Sequence, residues 1–375
     1  MKNFIFVVFI LVSCQSIKHT AEYYVPLKDD VDVIEDSFLL GDYKVIRPEL
    51  TDKAMISHVD KILLFENKIG VLDKSLASLF IFDMNGTFLY DIHRIGGGPG
   101  EYIQLLDVCL DTINRSFLFV TTPAARLYYD YSGHFLKKEP LKDLSREVEI
   151  YDGVQYFKLG DEVNGEKLEN SLVGLDLDTN EESYLLEKGE FPVNGLWSDG
   201  KLFFKSEGLW FMQRFENTLY KIEGMKCVPV YQFDLGRYNL PKSMLDGEFS
   251  IDEFSKKCYE KDYVFSLTNL VDINTGILMN SNLIGFFYYN KKRNEFNKYS
   301  HILNHNYGIR FTKMTPVDGE EKKVAFVLSD YSIALMKEGL LKFSEEERKQ
   351  IKITEILNPL NEEESNPIIF LYDLK

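Results

Sequence analysis

The chain has few of the residues that build local metal or redox motifs. Its 375 residues include only four cysteines, six histidines and two tryptophans. No two cysteines form a C-x-x-C pair, so the usual thiol signature of zinc and redox sites is missing. Apart from Cys14, the cysteines are Cys109, Cys227 and Cys258. We expect these three to be buried free thiols, and one disulfide stays open as the alternative.

Positive charge is also scarce. Lys and Arg number 43 against 59 Asp and Glu, which gives a formal net charge of −16. This field disfavours nucleic acid as a partner and provides no electrostatic attraction to anionic lipid headgroups. The apolar run from Phe4 to Val12 has nine residues, which is too short to cross a membrane because a spanning helix needs about 20.

The N-terminus has the pattern of a secretory signal, with Lys2, the short apolar run and then Ser13-Cys14. The segment Leu11-Val12-Ser13-Cys14 resembles the lipobox of bacterial lipoproteins. The resemblance implies that residues 1–13 are a signal peptide cleaved before Cys14, and that lipid is attached to this thiol. Each buried CH₂ of an acyl chain contributes about 0.8 kcal/mol to membrane anchoring. An ordinary signal peptide with a chance cysteine is the alternative.

The residues after Cys14 indicate the expected destination. Gln15 stands where the lipoprotein family uses Asp for inner-membrane retention, so the resemblance implies the outer membrane. The run 15–19 lacks the acidic cluster that some Gram-negative groups use for surface export. This favours the periplasmic face and leaves the cell surface open. Residues 14–42 are predicted to be the lipidated cysteine and a flexible tether, because Thr20–Asp42 is acidic and shows little periodicity.

Aromatic residues are abundant and recur with a period. The 28 Phe and 22 Tyr favour half-buried sheets. An apolar strand followed by a polar turn recurs at spacings of 47, 46 and 45 residues, with the markers Phe82, Tyr129, Leu175 and Tyr220. A period near 45 with about four strands per repeat is typical of propeller blades. The sequence therefore predicts an all-β fold, a six-bladed β-propeller that spans residues 43–375 as a single monomeric domain.

Two helices are predicted to interrupt the repeats. Ser250-Ile251-Asp252-Glu253 is a capping-box pattern in a surplus segment, and it predicts a short helix near 250–262. A second capping-box pattern, Ser344-Glu345-Glu346-Glu347, predicts a helix over 344–357. Two predicted strands do not belong to any complete repeat. They are the last strand, Pro367–Asp373, and the early strand, Tyr43–Pro48. Pairing the two would close the ring and remove an exposed sheet edge.

Three segments resemble the six-bladed β-propeller lipoproteins of Gram-negative bacteria, which are related to NHL-repeat propellers. They are the opening strand Tyr43–Leu50, the hairpin Phe82–Leu89, and the loop Gly96-Gly97-Gly98-Pro99-Gly100-Glu101-Tyr102. The loop is similar to the family's GxGPGEY loop between its first two blades. The resemblance implies a propeller fold and a lipid anchor. It implies no common activity and transfers no catalytic residue.

The glycine-rich loop is predicted to be structural. No Lys-Ser or Lys-Thr follows it and a strand is expected next, so the context of a phosphate-binding loop is missing. Its glycines and proline would set the dihedral angles of a tight crossing between blades, with the residues Gly96, Gly98, Pro99 and Gly100. Glu101 would hold the loop through backbone N–H groups.

One segment matches a calcium-loop template in part. Positions 1, 3, 5 and 12 are filled by Asp176, Asp178, Asn180 and Glu187. Position 6 is Glu181, where the template needs glycine. An acidic hairpin turn is therefore the favoured interpretation, and a divalent ion at these residues is the alternative. No other cofactor is indicated.

Two classes of function fit the sequence. A non-enzymatic binding or scaffolding module would hold a glycan, peptide or protein partner with the loops at one mouth of the channel. A metal-dependent propeller hydrolase or lactonase-like enzyme would need several carboxylate or amide side chains at the channel centre. The first is favoured, because no local motif supplies a nucleophile or base with an orienting partner.

Replacing Cys14 with alanine should abolish incorporation of labelled palmitate and release the protein from the membrane fraction, because the lipid is attached through this thiol. Cys227→Ala is the control and should leave labelling unchanged. Membrane retention of the Cys14→Ala variant without palmitate would contradict a lipid anchor.

Overall fold

A computed structural model describes residues 21–163, 166–189, 192–193, 200–319, 322–357 and 365–375. The predicted signal peptide and Cys14 lie outside these ranges, so both stay predictions. Within these ranges, no helix is long and apolar enough to cross a membrane.

Short strands make up most of the chain. Up to residue 92 the elements are β1 (Tyr23–Glu35), α1 (Asp36–Leu39), β2 (Leu40–Ile46), β3 (Lys61–Phe65), β4 (Lys68–Asp73), β5 (Ser78–Asp83) and β6 (Phe88–Ile92). They continue with β7 (Gln104–Asp111), β8 (Ser116–Thr122), β9 (Ala125–Asp130), β10 (Phe135–Pro140), β11 (Ser145–Tyr151), β12 (Val154–Leu159), β13 (Glu162–Val163), β14 (Glu166–Lys167), β15 (Asn170–Asp176) and β16 (Glu182–Glu187).

The second half contains more helix. Its elements up to residue 303 are β17 (Phe203–Ser206), β18 (Gly208–Gln213), β19 (Thr218–Glu223), β20 (Lys226–Asp234), a 3₁₀ turn (Gly236–Tyr238), α2 (Lys242–Leu245), α3 (Ile251–Glu260), β21 (Leu267–Ile273), β22 (Gly276–Ser281), β23 (Phe286–Asn290) and β24 (Glu295–Leu303). The remainder comprises β25 (Arg310–Phe311), β26 (Val317–Gly319), β27 (Lys323–Leu328), α4 (Asp330–Leu340), α5 (Glu345–Arg348), α6 (Thr354–Leu357) and β28 (Ile368–Leu374).

Most strands form antiparallel meanders. Five meanders of four strands follow one another along the chain, namely β3–β6, β7–β10, β11–β12–β15–β16, β17–β20 and β21–β24. A three-stranded sheet contains β27, β28 and β2, and β26 joins β3 in parallel. Neighbouring meanders share clusters of buried apolar residues: Leu63 and Phe117 belong to one cluster, and Val120 and Phe157 to another. Successive meanders that pack face to face are typical of a propeller-like all-β fold.

Turn chemistry explains why the repeat is visible in the sequence. Asp83 ends β5, and its carboxylate accepts the N–H groups two and four residues later at 2.7 and 3.0 Å. Asp130 does the same at the end of β9, at 2.8 and 2.9 Å. Gly86 and Gly133 then turn the chain with φ of 93° and 83°, which a side chain would disfavour. The same tight hairpin is thus built twice from the same residue pattern.

The N-terminal segment is a strand and not a tether. β1 pairs in parallel with β20 on one side and with β24 on the other. It therefore merges the fourth and fifth meanders into one ten-stranded sheet, so the hydrogen-bonded sheets do not correspond to six separate blades of about four strands. The predicted tether over 14–42 is wrong from Tyr23 onward. The sequence of β1 does not show the pattern of a buried strand, because Val25 is the one buried residue among its thirteen.

The two ends of the described chain lie side by side. β2 pairs antiparallel with β28, with Val45 opposite Phe370, and these are the segments whose pairing the sequence predicts. A buried carboxylate reinforces this junction. Asp36, on α1, accepts from the Tyr372 hydroxyl at 2.7 Å and from Asn304 Nδ2 at 2.9 Å. The start of the fold is thus tied to β28 and to the turn after β24.

The predicted helices are confirmed in part. α3 begins after Ser250 with a complete capping box to Glu253, as predicted for 250–262. The box of Ser344 and Glu347 is also present, but the helix it begins is the four-residue α5, and α6 is separate. One continuous helix over 344–357 is therefore wrong. α4 is an additional helix that the sequence analysis did not anticipate.

Val25→Ala should lower the free energy of unfolding by on the order of 2 kcal/mol, because this side chain is 2% exposed in the core where β1 joins the fourth meander. Val33→Ala, on the same strand but 38% exposed, is the matched control and should change stability by less than about 0.5 kcal/mol. Urea unfolding of the full chain measures both. Equal effects would show that β1 is not packed as described.

Candidate functional site

The first strand of each meander lies towards the middle of the molecule. β7 contacts β11, β17 contacts β21, and β26 contacts β3 and β7. These inner strands carry charged residues. Each ion costs several kcal/mol to bury unless it is paired. Six such residues form what we call the channel network, namely Lys61, Asp107, Glu149, Lys201, Lys205 and Asp318.

One end of the channel network joins the first three meanders. Lys61 Nζ lies 3.0 Å from Asp107 Oδ1 and donates to the carbonyl of Val108 at 2.6 Å. Asp107 Oδ2 accepts the backbone N–H of Val148 on β11 at 3.0 Å. The Lys61 and Asp107 side chains are each 3% exposed. This ion pair is therefore part of the interior and holds three inner strands in register.

The other end of the network is centred on a fully buried glutamate. Glu149 contacts Lys201 Nζ, and its Oε1 lies 2.5 Å from Lys205 Nζ. Lys205 also lies 3.2 Å from Asp318, which accepts the N–H of Leu110 at 3.0 Å. Three lysines thus face three carboxylates, and the channel network is neutral as a set.

The paired charges keep each other ionised. Burial disfavours the ammonium of Lys61, but the carboxylates of Asp107 and Asp318 outweigh burial and raise its pKa. Burial likewise disfavours the carboxylate of Asp318, but Lys205 and then Lys201 lower its pKa well below its usual range. Lys61 and Asp318 therefore stay charged near neutral pH, which fits a structural role for the network.

The cysteine nearest this network is not an activated nucleophile. Burial raises the pKa of Cys109 well above its usual range, and Glu149 and Asp318 raise it further. The thiol therefore stays protonated, whereas a reactive cysteine needs a lowered pKa. Cys227 and Cys258 are free as well.

Two cavities flank the channel network. The larger has a volume of about 710 Å³ and is lined by residues of the first four meanders and by Pro316. The smaller, of about 280 Å³, lies towards Lys205 and Asp318. Lys201 and Pro316 line both cavities, so the network stands between them. We call the larger cavity the mouth cavity.

Four cationic side chains gather at the mouth cavity and at its edge. Arg214 Nη2 lies 2.7 Å from Asp161 Oδ1, and Lys188 Nζ lies 3.9 Å from the same oxygen. Lys188 also donates to the carbonyl of Gly160 at 2.8 Å. These cations come from β11, β12, the residue after β16 and the residue after β18. We call them the mouth cluster, with the members Arg146, Lys158, Lys188 and Arg214.

Lys158 differs from the lysines of the channel network. It is 9% exposed, and within the described residues its Nζ makes no hydrogen bond or ion pair. Glu147 stands opposite it in the β11–β12 register, but that carboxylate accepts the N–H of Leu202 at 2.8 Å. Asp161 and Glu147 are two carboxylates whose charge acts on Lys158.

Burial changes the acidity of three cations of the mouth cluster. Burial lowers the pKa of Lys158 to about 7, and the guanidinium of Arg214 contributes further. Burial also lowers the pKa of Lys188 to about 8, again with a contribution from Arg214. Burial and Arg214 lower the pKa of Arg146. The charged forms of these three side chains are thus less stable here than in water.

The glycine-rich loop crosses between the first two meanders. Glu101 Oε2 accepts the N–H of Gly98 at 2.7 Å. Gly100 has a φ of +74°, and a Cβ there would lie 2.6 Å from the ring of Phe135. Gly96 is equally tight, because a Cβ would lie 2.2 Å from Glu101. The loop shares no residue with the mouth cavity.

The partial calcium template is not assembled. Asp176 closes the β15–β16 turn by accepting the N–H groups of Asp178 and Thr179 at 3.0 and 2.9 Å. Glu187 pairs with Asn170 at the far end of the hairpin, which is about 17 Å away at 3.4 Å per residue. Asn180 is a turn residue with a φ of 57°. Across the described residues, no three His, Cys, Asp or Glu side chains form a group that could hold a metal ion.

Sequence comparison identifies the family. The chain belongs to the DUF4934 family. The model of this domain of unknown function matches residues 25–373. That match begins inside β1, so the family's conserved length includes the strand that the sequence reasoning missed. No curated protein matches the chain. The finer resemblance to six-bladed NHL-like lipoproteins stays a prediction.

One solved structure shares this fold, and two others superpose less well. A Bacteroides fragilis protein described as exported superposes with a TM-score of 0.73 at 18% identity, over 94% of this chain and 100% of that one. A duf4221 member from Bacteroides vulgatus gives 0.49 at 13% identity, over 90% and 98%. A catalytically inactive virginiamycin B lyase from Staphylococcus aureus gives 0.42 at 13%, over 76% and 82%. Identities this low indicate a shared fold alone.

Sequence reasoning missed both charged groups. The ion pairs Lys61–Asp107, Lys201–Glu149 and Lys205–Asp318 join residues 46, 52 and 113 positions apart, and Arg214 lies 53 positions from Asp161, so no local motif contains both partners. One signal was available: Lys61, Asp107, Glu149 and Lys205 each occupy the first strand of a predicted repeat, where an apolar residue is expected. A charged residue that recurs at this position indicates the channel side of a propeller.

Glu149→Gln should lower the free energy of unfolding by about 3 to 5 kcal/mol, because it leaves two lysines facing a neutral amide in the interior. Glu295→Gln is the matched control. Its partner Lys28 is 55% exposed, so the change should cost less than about 1 kcal/mol. Urea denaturation of the full chain measures both, and a Glu149→Gln variant as stable as its control would contradict the structural role of the network.

Proposed function

We propose that this protein is an exported, outer-membrane-anchored lipoprotein in which a six-bladed propeller acts as a non-enzymatic binding or scaffolding module. Its ligand is a glycan, a peptide or part of a protein partner, and the mouth cavity is the binding site. The six blades are the five meanders and the three-stranded sheet β27–β28–β2, beside which β26 lies. The mouth cavity is the observation that carries the proposal.

The mouth cavity has the features of a ligand site. Its volume of about 710 Å³ lies within the range of small-molecule sites. Four meanders contribute to its lining, so its shape depends on the whole fold and not on one loop. Three members of the channel network, Lys61, Asp107 and Lys201, line it and are held by ion pairs. A ligand would therefore rest on a rigid base, which limits the ordering cost of binding.

The alternative is a metal-dependent hydrolase or lactonase-like enzyme with an ion at the channel centre. Such a site needs carboxylates that are available to the ion. The central carboxylates Asp107, Glu149 and Asp318 are instead each bound to a lysine, and all three also accept a backbone N–H. This arrangement favours the binding module over the enzyme.

The full chain should bind at least one member of an array of oligosaccharides and peptides, with an affinity that does not change when EDTA is added. Ile103→Trp should weaken this binding by at least tenfold, because Ile103 lines the mouth cavity and an indole would fill it. Ile113→Trp is the matched control, since Ile113 is 83% exposed and lies outside both cavities.

The same preparation should show no turnover of ester, lactone or glycoside substrates. Metal-dependent turnover that is lost when Asp107, Glu149 or Asp318 is replaced by alanine would overturn the proposal in favour of the enzyme. Ligand binding that Ile103→Trp leaves unchanged would place the site elsewhere on the molecule.

A further inference from the structure

Two segments lie outside the four-stranded meanders. One is β1, which runs along the outer strands β20 and β24. The other is the connection between β20 and β21, residues 235–266, which contains the 3₁₀ turn, α2 and α3. The fourth and fifth meanders already have four strands each, so neither segment is needed to complete one. Both segments meet the fifth meander at a groove of about 650 Å³, which we call the rim groove.

Three stretches of the chain line the rim groove. They are residues 30–32 of β1, residues between 237 and 262 of the connection, and residues between 282 and 300 of the fifth meander. Among the described residues, none lines both the rim groove and either cavity of the channel. The rim groove is therefore a separate feature, and its volume lies within the range of small-molecule sites.

Side-chain contacts connect the three walls of the rim groove. Asp30 Oδ2 lies 2.7 Å from Arg237 Nη2 and accepts a hydrogen bond from the Tyr238 hydroxyl at 2.9 Å. These contacts join β1 to the 3₁₀ turn. Lys298, on β24, has its Nζ 5.3 Å from the centre of the Tyr238 ring, which is a cation–π contact. All three walls thus meet at Tyr238, and the groove has its shape before a ligand binds.

The helix α3 places a tyrosine at the rim groove. The inner face of α3 is anchored, because Phe254 and Cys258 are fully buried in a cluster that includes Phe265. Tyr259 is next to the last residue of the helix, lines the groove and is 56% exposed. A rigid helix therefore presents a large aromatic side chain to solvent at the edge of a groove.

We propose that the rim groove is a glycan-binding site in which the ring of Tyr259 packs against one face of a sugar ring. A pyranose has C–H groups on its faces, which pack favourably against an aromatic ring. The mouth cavity offers no such platform, because none of its described lining residues is Phe, Tyr or Trp. This is a second site, and it does not rest on the proposed role of the mouth cavity.

The other lining residues suit the hydroxyl groups of a sugar. The side chain of Asp32 is 79% exposed, and Asp262 lines the groove just after α3. An ionised carboxylate accepts hydrogen bonds from two hydroxyl groups, and such bonds are stronger than those between neutral groups. Lys298 and Ser300 supply donors from β24, and Ile284, which is 76% exposed, adds apolar surface. The groove thus combines an aromatic platform with acceptors and donors.

The first test is isothermal titration calorimetry of the full chain with five hexasaccharides, namely cellohexaose, maltohexaose, xylohexaose, mannohexaose and chitohexaose. At least one should bind. Tyr259→Ala should weaken this binding by about tenfold or more, because the platform is lost while the buried face of α3 is unchanged. Tyr331→Ala is the matched control. Tyr331 also lies on a helix, is 69% exposed and lines neither the groove nor either cavity, so the affinity should not change.

A second pair of variants tests the carboxylate. Asp32→Asn should weaken binding of the same hexasaccharide by about threefold or more, because a neutral amide is a weaker acceptor than a carboxylate. Asp29→Asn is the matched control, since Asp29 is an exposed residue of the same strand and does not line the groove. An equal loss in both variants would show that the overall charge acts and not the site.

A tryptophan at the platform gives a direct signal. Tyr259→Trp keeps an aromatic ring, so it should restore the affinity that Tyr259→Ala loses. The chain has only two tryptophans of its own, and the added indole should change its fluorescence emission when the hexasaccharide saturates the site. Tyr331→Trp is the control and should show no change in emission on saturation.

The two sites can fail independently. Ile103→Trp fills the mouth cavity and should leave binding in the rim groove unchanged. The proposal is overturned if none of the five hexasaccharides binds, or if Tyr259→Ala binds as tightly as the unmodified chain. Binding that Ile103→Trp weakens and Tyr259→Ala does not would assign the glycan to the mouth cavity alone. Peptide binding that Tyr259→Ala weakens, without binding of any hexasaccharide, would overturn the glycan as the ligand of the groove.

Discussion

The pairing of lysine with carboxylate along the channel is the interaction on which the rest of the structure depends. The inner strands of successive meanders come close enough that their side chains share one buried space. Lys61, Glu149 and Asp318 therefore need partners, and those partners lie on different meanders. Each ion pair then aligns two strands that have no backbone hydrogen bond to each other. Within a meander, backbone hydrogen bonds hold the strands in register. Between meanders, the ion pairs of the channel network do so.

The ends of the chain meet a similar constraint in another way. The outer strands β20 and β24 would expose two sheet edges, and exposed edges invite association with other chains. β1 covers both edges at once through parallel pairing. β2 and β28 complete the last sheet, and buried Asp36 connects the two regions. The N-terminal segment is therefore part of the fold that the family match covers.

The sequence predicts the parts of this fold that depend on local chemistry. Residues close together in the chain predict the turns with Gly86 and Gly133 and the capping box of α3. The pairing of β2 with β28 is predicted because neither strand has a place in the repeats. The strand β1 was not predicted, because most of its residues are exposed and the alternation of apolar and polar residues is therefore weak. The mouth cluster was not predicted from the sequence, because Lys158 and Arg214 come together only when two meanders have folded.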